Sequence, residues 1–189
     1  MPRVRLPSSS EQRDAILLQS WLYSRLRMAS PKISDTMMPT YSFIPSLSVE
    51  DMRNPQLSSA VLCTPCHFVK ITKFYRVHNY RVFASVRDNT HQILVVFTPK
   101  CVSNFERRYH SRITSHVVNS LIIVGDCSLH YWPPSKIQDN FDIGHNNCAF
   151  SEAREANKSL PILIINQMGR FEMDQVEPLA LCPFVYGKL

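Results

Sequence analysis

With 189 residues, 44% of them apolar and 19% charged, the chain can bury one well-packed domain and is too apolar to remain disordered. Lys plus Arg outnumber Asp plus Glu by 21 to 15, a formal charge of +6 that suits an acidic partner but is modest. Four glycines, at 125, 144, 169 and 187, cannot build a phosphate-cradling loop, and neither G-x-G-x-x-G nor G-x-x-x-x-G-K-[ST] occurs.

Residues 8–29 read as one helix. Ser9 with Gln12 fits a capping box, and Leu18, Trp21, Leu22 and Leu26 fall on one amphipathic stripe. Residues 30–62 carry Pro31, Pro39, Pro45 and Pro55 and read as a wrapping segment with one short helical turn near Ser48–Met52. Phe68–Val77, dense in aromatic and β-branched residues, is the first predicted strand. A turn at His78-Asn79 leads into Tyr80–Asp88. Its alternation puts Tyr80, Val82, Ala84 and Val86 on one face and Arg81, Phe83, Ser85 and Arg87 on the other. After Asp88-Asn89, His91–Thr98 is the third strand. Pro99 ends it, and Val102, Phe105, Glu106 and Tyr109 keep helical spacing. Leu121–Val124 opens a fourth strand that continues after Gly125-Asp126 to Trp132. Residues 133–158 read as a long polar loop, Leu160–Asn166 as the fifth strand, and Pro183–Tyr186 as an apolar tail able to pack back.

Three antiparallel strands, a bridging helix and two more strands predict a five-stranded OB-fold barrel with a helix between strands three and four. Residues 1–62 form an N-terminal helical extension, and residues 63–189 form the barrel domain. The first strand of such a barrel bends at a glycine or a bulge. With no glycine there, a bulge is expected near Lys70–Lys73. Phe105 is expected to plug the barrel.

Cys63-Thr64-Pro65-Cys66-His67 spells C-x-x-C-H, the pattern of c-type haem attachment. The first seven residues hold no apolar stretch, so no secretory leader and no such export are expected. Zinc would need a second knuckle, which the sequence lacks, so neither metal nor cofactor is expected. The segment is read instead as a proline-kinked lead-in to a strand, with Cys66 buried. The six cysteines are expected to be reduced thiols. No apolar run approaches the roughly 20 residues of a membrane helix, so no membrane partner is expected.

The block Pro65-Cys66-His67-Phe68 followed by Lys70-Ile71-Thr72-Lys73-Phe74-Tyr75 resembles the small OB-fold subunit of yeast telomerase, the Ever shorter telomeres protein 3 family. The resemblance extends through Ser85-Val86-Arg87-Asp88, His91–Val95, Cys101–Arg107, Arg112–Ser115 and Gly125-Asp126. Leu18–Trp21, Ile44–Leu47 and Pro183–Tyr186 match too. It implies a non-catalytic subunit of the telomerase holoenzyme, sited in the nucleus at chromosome telomeres. Its partners would be the telomerase reverse transcriptase and another accessory protein, with telomerase RNA engaged indirectly. Weak contact with single-stranded telomeric DNA or RNA and self-association also belong to the implied range. Family messages are usually decoded with a ribosomal frameshift. Roles carry over to Trp21, Asp51, Lys73, Asp88, Glu106, Arg112, Asn119 and Asp174. His116 and Val117 depart from the family pattern, which has an acidic and a hydroxyl residue there.

Of these, Asp88 and Arg112 flank turns whose ends can approach, and they read as a structural ion pair. Trp21 reads equally as a packing residue and a docking residue. Trp21, Asp51, Lys73, Glu106, Asn119 and Asp174 are the expected protein-docking set, with mixed charge that suits a protein more than a phosphate backbone. The rival function is direct binding of single-stranded DNA or RNA. Phe74, Tyr75, Tyr80 and Phe83 are candidate stacking platforms, and only Phe83 shares a face with arginines, Arg81 and Arg87. An enzymatic reading has no phosphate loop or metal constellation behind it.

Overall fold

The computed structural model describes residues 8–29, 41–143, 150, 155, 157–174 and 179–187. The basic pair Arg3 and Arg5, Pro31 and Pro39 of the wrapping segment, and part of the 133–158 loop lie outside them. The elements run α1 (Ser9–Leu17), α2 (Leu22–Ala29), β1 (Tyr41–Ile44), α3 (Val49–Arg53), α4 (Ser59–Leu62), β2 (Phe68–His78), β3 (Arg81–Arg87), β4 (Gln92–Phe97), α5 (Pro99–Tyr109), β5 (Leu121–Trp132), α6 (Pro134–Phe141) and β6 (Leu160–Glu172). Strands β2 to β6 close into a barrel in the order β5-β2-β3-β4-β6-β5. Every pairing is antiparallel except β4 with β6. This is the OB-fold expected from the sequence, with α5 between its third and fourth strands.

The bulge predicted in place of a glycine is there, and it has a second copy. Between Ile71 and Lys73, and again between Phe74 and Arg76, the β2–β3 register slips by one residue, leaving Thr72 and Tyr75 unmatched. Each extra residue bends the strand and raises its twist, which carries β2 around the barrel wall. The Thr72 hydroxyl is not left idle: it bonds the Ser85 carbonyl at 3.2 Å and Gln92 Oε1 at 3.0 Å.

The hairpin turn lies one residue later than predicted. His78 pairs with Arg81, so Asn79-Tyr80 is a two-residue loop, and φ is 50° and 61° at its two positions. That is a type I′ turn, whose hand matches the strand twist. Asn tolerates such a φ; tyrosine there costs roughly 1–2 kcal/mol that glycine would not.

Phe105 is fully buried on α5 and packs against Tyr109, ring centroids 4.7 Å apart. Thr98 caps this helix by accepting from Cys101 N, and Pro99 begins it, where a missing N–H costs nothing. Burying a Phe side chain is worth about 2–3 kcal/mol.

Four parts of the outer frame differ from the sequence reading. Residues 8–29 form two helices, not one, because the chain turns at 18–21. The capping box is Ser8 with Glu11, one residue before the predicted pair. The wrapping segment supplies β1 as well as the predicted helical turn, now α3. β1 pairs with β5 at 127–129, beyond the stretch of β5 at 121–123 that β2 covers. The long loop begins with α6, whose Ile137 and Phe141 are buried. The tail packs back as expected: Phe184 bridges to Gln92, and Val185 and Tyr186 are buried.

Candidate docking surface

Of the expected docking residues, Trp21 is a core residue. It is 8% exposed, its indole Nε1 donates to the Phe68 carbonyl at 3.3 Å, and its ring packs on Phe43. Its docking reading is corrected to packing, because an indole with its one donor satisfied inside the protein presents little to a partner.

The Asp88–Arg112 ion pair is absent. Asp88 is fully buried while Arg112 is exposed. One Asp88 oxygen accepts from the backbone N–H groups of Trp21 and Leu22, the other from those of Thr90 and His91, all at 2.8 Å. The carboxylate therefore caps the N-terminus of α2 and closes its own 88–91 turn at once. Both oxygens are spent on main-chain donors, and the bonds from Trp21, Leu22 and His91 are buried. Around it, Ser20 Oγ and Thr90 Oγ1 are 2.6 Å apart and Tyr23 stacks on His91.

The nucleic-acid face drawn from Arg81, Phe83 and Arg87 also fails. Phe83 is 3% exposed and packs edge-on against Phe141. Arg87 is buried and its guanidinium donates to the carbonyls of Asp88, Asn89 and Ala180. Only Arg81 is exposed. Alternation misled here because α6 and the tail cover the face of β3 that a bare strand would show to solvent.

Asp51 sits at the third position of α3, accepting from Ser48 N and from the Ser58 hydroxyl. These bonds, Ser58 first, hold its pKa below the usual carboxylate value. Lys73 is exposed on β2, its ammonium 4.8 Å from the Tyr75 ring. Asn119 takes a left-handed φ of 63° and its N–H donates to the Ile71 carbonyl at 2.9 Å, two residues from Lys73. Glu106 is exposed on α5.

Asp174 belongs to a network that spacing could not reveal. Arg13 on α1 donates to Asp174 and, at 3.2 Å, to Asp14. Asp14 in turn pairs with Lys70, which has no solvent exposure. Lys70 occupies β2 three residues before Lys73 and pairs in register with Leu121, itself opposite Glu172 of β6. Burial pulls the Lys70 pKa down, against the pull of Asp14. Asn119 thus meets β2 beside Lys73, while Asp174 reaches β2 through Arg13 and Asp14 to Lys70. A lysine in an apolar strand was the one signal available; its partners lie 56 and more positions away.

The C-x-x-C-H residues do not converge. Cys66 is buried, as the strand-lead reading expects, Cys63 is exposed, and His67 Nδ1 bonds the Val124 carbonyl at 2.7 Å. Cys101 and Cys127 are also buried, and desolvation pushes the Cys101 thiol up to about 12.

The family model of the shelterin complex subunit TPP1/ACD matches residues 18–184. The telomere replication protein EST3 of Candida glabrata is 39% identical over 98% of this chain and 98% of its own length. That of Eremothecium gossypii is 37% identical over 98% of this chain and 89% of its own. The fold is also that of the Est3 telomerase subunit from the yeast Hansenula polymorpha, with a TM-score of 0.50 and 20% identity over 83% of this chain and 88% of that one. The family model spans most of the chain and the relatives match over nearly their whole length, so the chain belongs to the EST3 family of telomere replication proteins, within the TPP1/ACD fold family.

Proposed function

We propose that this chain is a non-catalytic regulatory subunit of the telomerase holoenzyme. It supports telomere replication in the nucleus by docking other proteins on its barrel. The observation that carries the reading is its 39% identity to an EST3 telomere replication protein across 98% of both chains. Lys73, Asn119 and Asp174 form the centre of the docking face, with Glu106 and Asp51 as further polar contacts. Their mixed charge suits a protein of complementary pattern more than a phosphate backbone. The partners are the telomerase reverse transcriptase and another accessory subunit, and telomerase RNA is engaged through them.

The test is a pull-down of reverse transcriptase and telomerase RNA on this chain, with and without RNase. Protein association should survive RNase. Lys73→Ala and Asp174→Ala should abolish it while the circular dichroism spectrum stays unchanged and the melting temperature falls by no more than about 4 °C. Both side chains are partly or fully exposed, so their loss costs the fold little, about 1 kcal/mol at most. Loss of folding in either variant, or intact association, overturns the assignment.

A further inference from the structure

Arg170 on β6 leaves half of one guanidinium edge unused. Its backbone N–H donates to the Tyr109 hydroxyl at 2.9 Å. Its guanidinium carbon lies 4.8 Å from the Tyr109 ring centroid and 5.6 Å from that of Phe105, so two rings hold the planar group in place. Nε and Nη2 share an edge of that plane. Nη2 donates to Ser111 Oγ at 2.5 Å, while Nε is buried with no hydrogen-bond partner. Among the described residues no carboxylate pairs with this arginine. Such an edge takes a phosphate through two parallel N–H bonds, and a neutral hydroxyl fills only one of them.

Ser111 follows His110, the left-handed cap of α5, and is half-buried outside the helix. Arg107 and Arg108 stand before it and Arg112 after it, all three exposed. From Arg107 to Gly125 the sequence contains no Asp or Glu. Protein kinases of the basic-directed class read an arginine three residues before the acceptor, and Arg108-Tyr109-His110-Ser111 presents one. The same spacing places Arg5 before Ser8, Arg27 before Ser30, Arg87 before Thr90 and Arg112 before Ser115, so spacing alone does not choose. The surroundings do. The Thr90 hydroxyl faces the Asp88 carboxylate at 3.4 Å, where a phosphate would be repelled, whereas that of Ser111 already meets a guanidinium.

We propose that Ser111 is a phosphorylation site whose phosphate is received by Arg170. The co-reactant is ATP on a basic-directed protein kinase. Ser111 Oγ attacks the γ-phosphorus, the new O–P bond replaces the bond to the bridging oxygen, ADP leaves, and the hydroxyl proton passes to a carboxylate base of the kinase. The phosphate then takes Nε and Nη2 together, and its charge of about −2 offsets the arginines around it. Opening the last turn of α5 presents Arg108 to the kinase, and helix ends are where opening costs least. A basic patch alone would serve an acidic partner equally well. A guanidinium edge half-filled by a serine hydroxyl is what a phosphoserine completes. The proposal does not rest on the docking function above.

The experiment incubates the full chain with ATP and activated calcium/calmodulin-dependent protein kinase, which selects arginine at that position, and locates phosphate by tandem mass spectrometry. Ser111 should be modified, and Arg108→Gln should lose that label. The receiver is tested on full chain translated with phosphoserine at position 111, titrated by phosphorus NMR. The second phosphate pKa, about 6 in free phosphoserine, should lie about 1 unit lower. Arg170→Gln should reverse most of that shift. Arg170→Lys, which keeps the charge but not the fork, should reverse part of it, and it decides the matter if Arg170→Gln does not fold. Phosphate at other hydroxyls and none at Ser111 overturns the proposal. So does a pKa near that of free phosphoserine, or a lowered one that neither Arg170 variant moves, which would assign the effect to Arg107, Arg108 and Arg112.

Discussion

Asp88 concentrates more of the fold on one side chain than any residue the sequence singled out. Its four backbone donors come from two segments, the α2 N-terminus and its own turn. Asp88→Ala leaves those N–H groups buried without a partner, at about 1–3 kcal/mol for each that water cannot reach. The expected loss is at least about 3 kcal/mol in urea unfolding. Arg112→Ala, at an exposed site, should stay within about 0.5 kcal/mol. The double-mutant coupling energy should be near zero, where an ion pair would give a measurable one. The sequence marked Asp88 as important through its turn position. Its partners on α2 were hidden because they are main-chain groups 66 and 67 positions away, which no side-chain pattern announces.

At the scale of elements, the five barrel strands and α5 were legible because their periods are unmixed: a β-branched run, an alternating run, and a helical stripe ending at Tyr109. The break between α1 and α2 was not, since no Gly or Pro interrupts 8–29. What breaks the helix is tertiary: Asp88 takes the N–H groups of Trp21 and Leu22 that a continuous helix would have used internally. β1 was missed because four residues beside prolines carry too short a pattern. α1 is fastened to the barrel by its charges, with Asp14 neutralising a fully buried Lys70. Asp14→Ala removes the carboxylate partner of a buried ammonium. The expected cost is about 3–5 kcal/mol, read as a fall in melting temperature. Adding Lys70→Met to that variant should recover most of the loss, because it removes the buried charge and restores apolar packing. A double variant no better than Asp14→Ala would mean that α1 is held by something other than this pair.

At the scale of the whole barrel, closure includes a parallel seam, where β4 meets β6 over 95–97 and 163–165. The ladder ends at Val95 with Leu163, and two residues before Leu163 stands Pro161, which has no N–H to donate. Tyr186, from the tail, takes over: its hydroxyl accepts from Leu94 N and donates to the Pro161 carbonyl, both at 3.0 Å. The same tail bonds β4 again, with Gln92 N donating to the Pro183 carbonyl and Gln92 Nε2 to that of Cys182. Burial raises the Tyr186 pKa far above the usual phenol value, so the hydroxyl keeps the proton it needs to donate. Apolarity made the tail's docking legible in the sequence, but its use as a ladder extension depends on a proline 25 positions upstream. Tyr186→Phe keeps the buried ring and removes only the hydroxyl, leaving a buried donor and acceptor unpaired. The expected cost is about 1–3 kcal/mol. Hydrogen exchange should localise it. Leu94 N–H should lose protection along with the amides of the β4–β6 seam, while the β2–β3 hairpin, on the far side of β4, keeps its own. Uniform loss of protection across the barrel would show instead that the seam opens only with global unfolding, and that closure does not depend on the tail.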